Sequence, residues 1–143
     1  MNSFKKVILI ILIVTGVGGV LWMAKAWTLH RLDEKVAKFN ADADTLIMGI
    51  QQYKEFVGSY PAGNNIAIAK ALLGQTEKKV LILAVRRADL NDKGEILDPW
   101  GTPLQFYFSY NEVMIRSAGP NKIFEDSSVL LADDLYRCAL KEK

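Results

Sequence analysis

Cysteine, histidine and early proline are what this chain has least of. Its 143 residues include one cysteine, Cys138, so no intrachain disulfide can form and the redox compartment stays open. With no partner in view, Cys138 reads as a small buried or half-buried apolar residue rather than a nucleophile. The lone histidine, His30, cannot complete a Ser/His/Asp set, and no metal-ligand spacing or glycine-rich phosphate loop occurs elsewhere. An enzyme is therefore not expected. A formal charge of +2 comes without a clustered basic face, which argues against nucleic acid as a partner. The pairs Lys78/Lys79 and Arg86/Arg87 read as solvated surface. No proline precedes Pro61, so nothing forbids one long helix in the first part of the chain.

What is present there is such a helix, expected from Val7 to about Val57 and roughly 75 Å long at 1.5 Å per residue. Val7 to Ala24 holds 18 residues without a charge, near the minimum for a membrane span. Lys5 and Lys6 precede it, and Trp22 and Trp27 stand at its far end, where His30 is expected as an interfacial polar residue. Beyond Lys25 the helical period continues through Leu29, Leu32, Val36, Phe39, Ala43, Leu46, Ile50, Tyr53 and Val57, one apolar stripe at three-four spacing. Asp33, Glu34, Lys35, Lys38, Asp42, Asp44 and Lys54 fall off that stripe. The expected organisation is a membrane anchor over 1–27 and a small globular head over 28–143 that includes a helical stalk, 28–58. The rival reading, a secretory signal cut at Ala24-Lys25-Ala26, is disfavoured because the apolar run is longer than the usual signal core and the helical period passes straight through. Lysine and arginine counts beside the span place more positive charge on the head side, against the orientation that a short basic N-terminus favours. Thr15 and Gly19 put small residues on one face of the span, a surface another helix can approach.

The run Gly58-Ser59-Tyr60-Pro61-Ala62-Gly63-Asn64 ends the helix, and Asn64 or Asn65 can cap a short helix reaching Leu73. Thr76 to Arg87 is ambiguous, with helix or irregular packing against the stalk preferred; Asn91-Asp92-Lys93-Gly94 is a surface turn. Asp98-Pro99-Trp100-Gly101-Thr102-Pro103 makes a tight corner that frees an indole to cover a core. Leu104, Phe106 and Phe108 then alternate with Gln105, Tyr107 and Ser109, and after a turn at Tyr110-Asn111-Glu112 the residues Val113, Ile115 and Ser117 alternate with Met114, Arg116 and Ala118. That is a β-hairpin. Ser117-Ala118-Gly119-Pro120-Asn121 opens a polar loop lasting to Asp133-Asp134, and Leu135-Tyr136-Arg137-Cys138 can add a third strand. The fold class expected is α+β, a long N-terminal helix on a small antiparallel sheet.

The order of these parts resembles the pseudopilins of type II secretion systems, and more broadly the type IV pilin-like family. The likeness rests on the apolar N-terminal helix, the stalk ending at Tyr60-Pro61, Asp98-Pro99-Trp100-Gly101-Thr102-Pro103, Ser117-Ala118-Gly119-Pro120-Asn121 and Ala132-Asp133-Asp134-Leu135. It implies a pilin-like fold and a structural subunit of a secretion filament, assembled through its N-terminal helix with other pseudopilin-like subunits and inner-membrane secretion components. It also implies a single-pass inner-membrane location with an extracytoplasmic head, and no nucleic acid or small-molecule substrate. One departure stands out: Lys5-Lys6-Val7-Ile8-Leu9 has neither the glycine nor the glutamate of the family's prepilin-peptidase site. The alternative is a non-polymerising relative whose head binds a protein partner through the hairpin edge.

In the major pseudopilin the loop after the second strand holds calcium, so the resemblance implies a calcium site here. Asn121, Asp126, Asp133 and Asp134 are the expected ligands and Glu125 a weaker one. Six Asp or Glu residues stand against only Arg116 and Lys122 between Asp98 and Tyr136, which suits a hard cation needing several oxygens. Asn121-Lys122 replaces the family's usual Asp-Gly, exchanging a carboxylate for an amide and adding a positive charge. Asp133 and Asp134, adjacent in sequence, are expected to point apart as strand neighbours do, and so not to form an acid/base pair.

Overall fold

The computed structural model describes residues 3–82, 84–110, 112–125 and 132–140, without the side chains of 3–18, 20, 21 and 140. The chain divides into two compact units, Met1–Glu34 and Lys35–Lys143. Helix α1 covers Ser3–Val57, α2 covers Asn65–Leu72, and the sheet strands are β1 (Gln105–Ser109), β2 (Glu112–Ser117) and β3 (Leu135–Leu140). The fold is thus α+β, with the three strands antiparallel in the order β1-β2-β3.

In the first unit the described side chains of α1 are solvent-exposed, and the imidazole of His30 sits 3.2 Å from the Glu34 carboxylate one turn on. Among the described residues no helix is long and apolar enough to cross a membrane. This corrects the expected single-pass inner-membrane location and the interfacial role of His30. The physical reason is that the described length of α1 is punctuated by Lys25, Arg31, Asp33 and Glu34; of the run from Val7 to Ala24, only Gly19, Trp22, Met23 and Ala24 have described side chains.

In the second unit α1 buries Phe39, Ala43, Leu46, Ile50 and Tyr53 of the expected stripe, together with Ile47, against Ile68 and Leu72 of α2 and Val113 and Ile115 of β2; Leu29 and Leu32 of that stripe, in the first unit, are exposed. Burying each of the larger of these side chains contributes about 1.5–3 kcal/mol. Gly49 lets the segment after α2 approach closely, since a Cβ there would lie 2.3 Å from the Ala84 Cβ. That segment is irregular, with Ile82 and Val85 buried. Asn64 caps α2, its side chain accepting from the Ala67 N–H at 3.1 Å. Asn65 then stitches two neighbouring segments, donating to the carbonyls of Ile96 and Leu104 at 3.0 and 2.8 Å and accepting from the Ile96 N–H. Tyr60 stacks on Phe108 with centroids 5.2 Å apart, under the Lys54 ammonium.

On β3, Leu135, Arg137 and Ala139 share one face, while Tyr136 and Cys138 alternate onto the other. Cys138 is exposed, which corrects the expectation of a buried thiol: it pairs across from Met114 on the side of the sheet away from α1. Arg137, on the α1 side, donates both fork nitrogens to the Asp44 carboxylate at 2.6 and 2.8 Å. The hydrogen bond from Arg137, helped by its charge, lowers the Asp44 pKa below its ordinary 3.8 against the opposing effect of burial. A carboxyl whose pKa is depressed by folding stabilises the fold above its unfolded pKa, and that stabilisation disappears as pH falls through the folded value. Because both partners are half-exposed, Asp44→Asn should lower the thermal midpoint at pH 7 by only about 1–3 °C. The difference from the parent should vanish in a pH series carried below the ordinary carboxylate value of 3.8.

Candidate cation site

The site begins where β2 leaves the core. Ser117 is fully buried, Gly119 turns the chain with φ +65°, and Lys122 is also left-handed at φ +63°. The Lys122 N–H returns to the Gly119 carbonyl at 3.2 Å, and the Asn121 side-chain oxygen accepts from the Ile123 N–H at 2.7 Å, an Asx turn. These bonds aim the loop back toward the residues that precede β3. There the Asn121 N–H donates to Asp133 Oδ2 at 3.0 Å.

Glu125, Asp133 and Asp134 converge, with a carboxylate oxygen from each within 4.8 Å of the others. Asp133 and Asp134 therefore do not point apart as expected, because they lie in an irregular segment before β3 begins at Leu135. The Asp133 N–H donates to Glu125 Oε2 at 3.2 Å, and the Glu125 N–H to Asp134 Oδ2 at 3.3 Å, so backbone donors hold the three acids together. Of the four expected ligands, Asp133 and Asp134 are brought together, Asn121 spends its side-chain oxygen on its own turn, and Asp126 lies outside the described residues. Glu125, the weaker candidate, is the third member.

A cation already stands here. Arg116, on the face of β2 opposite the core, donates from Nε to Asp134 Oδ2 at 2.6 Å and from Nη2 to the same oxygen and to the Glu125 carbonyl. Its guanidinium lies 5.3 Å from the centroids of both Phe124 and Tyr136. Burial works against its charge, but the bonds to Asp134 and Tyr107 more than reverse this and raise its pKa. In the sequence Arg116 figures as one of two positive charges in an acidic stretch, not as a member of the site. The available signal was a lone arginine on the solvent face of a strand within an acidic stretch.

Whether the residues fit a divalent ion turns on two atoms. Among the described residues Asp133 Oδ1 and Asp134 Oδ1 are buried and have no hydrogen-bond partner, and the Asp134 side chain retains 1% of its exposure. Unpaired buried carboxylate oxygens are costly and call for a compensating donor or cation. Among the described residues, the three carboxylates and one guanidinium leave a formal charge of −2, the complement of one divalent ion. The donor set is all oxygen, as calcium prefers. The residues present therefore fit such an ion.

A second hollow, of about 310 Å³, is lined by Asp42, Thr45, Leu46, Arg86, Asp89 and Ile96 among others. Its two carboxylates are each paired, Asp89 with Arg86 of the same lining and Asp42 with Lys38 outside it. The chain matches no family model, no curated protein and no solved structure.

Proposed function

We propose that the protein is a structural subunit of a pseudopilin-like filament of the type II secretion kind, with a pilin-like fold, and that it assembles with copies of itself or with related subunits through α1. The observation that carries this reading is the exposure of Trp22, Met23, Trp27, Leu29 and Leu32, with the two tryptophans 74% and 68% accessible. Large apolar side chains gathered on one stretch of helix in this way mark a surface that another chain covers. The order of motifs supports the same reading. So does the loop before β3, where calcium would be held by Asp133, Asp134 and Glu125, neutralising their charge and fixing the loop on the sheet.

The test is crosslinking of the full chain carrying Leu29→Cys and Cys138→Ser with a heterobifunctional reagent that joins a thiol to a lysine amine, with Cys138→Ser alone as control. A ladder extending beyond dimer, dependent on the thiol introduced at position 29, is the expected outcome. Monomer alone, or dimer and nothing larger, would overturn the filament reading and favour a solitary protein whose head binds a partner.

A further inference from the structure

We propose that Arg116 is a built-in counter-ion that shares the Asp134 carboxylate with the bound divalent cation, and so sets the site to weak affinity while holding Glu125 and Asp134 beside β2 without metal. This rests on the calcium reading above and adds to it a role for a residue that is not a ligand.

Asp134 has two oxygens with different fates. Oδ2 accepts from Arg116 Nε and Nη2 and from the Glu125 N–H, whereas Oδ1 is buried and has no partner among the described residues. A metal ion can therefore use Oδ1 but must leave Oδ2 to the guanidinium, so Asp134 serves with one oxygen where both would be the stronger grip. The guanidinium also stands against the same carboxylates, with 16% of its side chain accessible and aromatic rings on Phe124 and Tyr136 beside it. Its positive charge there opposes an incoming cation. The opposite benefit is that Arg116 joins β2 to Glu125 and to Asp134 with no metal needed. Loops that bind calcium through unrelieved carboxylates repel themselves open when it leaves; this one retains its own cation.

The arrangement predicts a wild-type calcium Kd in the weak class of roughly 10⁻⁴–10⁻³ M. Arg116→Gln, which removes the charge and frees Oδ2, should bind at least about tenfold more tightly. Arg116→Lys, which keeps the charge and loses the fork, should stay within about threefold of wild type. Calorimetric titration of calcium chloride into the three full-length proteins reads the affinities, and thermal unfolding in chelator gives a second readout. In chelator Arg116→Gln should melt below wild type, and calcium should raise its midpoint by more than it raises the wild-type one. Equal affinities for wild type and Arg116→Gln would overturn the counter-ion role and leave the calcium reading standing. No heat and no midpoint change in any of the three would overturn both. Should Arg116→Gln not fold, Arg116→Lys decides: binding more than tenfold tighter than wild type shows that charge does not limit affinity and overturns the inference.

Discussion

Asp98→Ala should cost about 3–5 kcal/mol of stability, a larger effect than removing most single methyl-sized pieces of the core. The Asp98 carboxylate is buried and fully used: Oδ1 accepts from the N–H groups of Trp100 and Thr102 at 2.9 and 2.8 Å, and Oδ2 from the Ser117 hydroxyl at 2.6 Å. Alanine would leave these donors without acceptors, and each orphaned buried donor costs about 1–3 kcal/mol. The loss would spread, because the Ser117 hydroxyl in turn accepts from the Gly119 N–H at 3.1 Å. One carboxylate thus ties the tryptophan corner to the end of β2 and, through Ser117, to the start of the acidic loop. Asp98→Asn keeps an acceptor for the two backbone donors and loses only the charge-assisted bond to Ser117, so it should cost about half as much. Urea unfolding of both variants, with a Ser117→Ala cycle, measures the coupling; a loss below about 1 kcal/mol for Asp98→Ala would show that the corner is held by other means.

That hub explains why the two motifs singled out in the sequence, Asp98-Pro99-Trp100-Gly101 and Ser117-Ala118-Gly119, belong together. Each was visible as a turn; their contact was not, since a bond between residues 19 apart in sequence leaves no periodic trace. Periodicity served best where one physical rule dominates. The α1 stripe from Phe39 to Tyr53, the Asn64 cap and the β1–β2 alternation were legible because burial on one face imposes spacing directly. The alternation rule also misled: applied to Asp133 and Asp134 it assumed a strand where the chain is irregular, and so hid their convergence with Glu125. Cys138 was misplaced for a related reason, because residue type suggested burial while its register opposite Met114 puts it on the open face. The membrane expectation followed from composition between Val7 and Ala24 and does not extend to the charged helix described beyond it. Arg116 was missed because nothing local marks an arginine whose partners lie 9 and 18 residues away.

Gly119→Ala should be the most damaging single-methyl change in the acidic loop, costing about 3 kcal/mol or more. Two effects combine. At φ +65° an alanine is strained by about 1 kcal/mol wherever it stands. Here, in addition, its Cβ would fall 2.2 Å from the Asp133 carbonyl oxygen and 3.0 Å from the carbonyl carbon, backbone atoms that cannot rotate aside. The chain must part at this contact, carrying Asp133 away from the Asn121 N–H and from its place beside Glu125 and Asp134. Gly58→Ala supplies the control, since Gly58 also has positive φ, +88°, but nothing lies within 4 Å of the added methyl. It should cost only the backbone term, about 1 kcal/mol, and leave calcium titration unchanged, whereas Gly119→Ala should abolish the titration along with the stability. The difference between the two variants in urea unfolding isolates the contact with Asp133 from the preference of glycine for this backbone region. If the two cost the same, the segment before β3 is not held against Gly119, and the three carboxylates have no fixed frame in which to meet a cation.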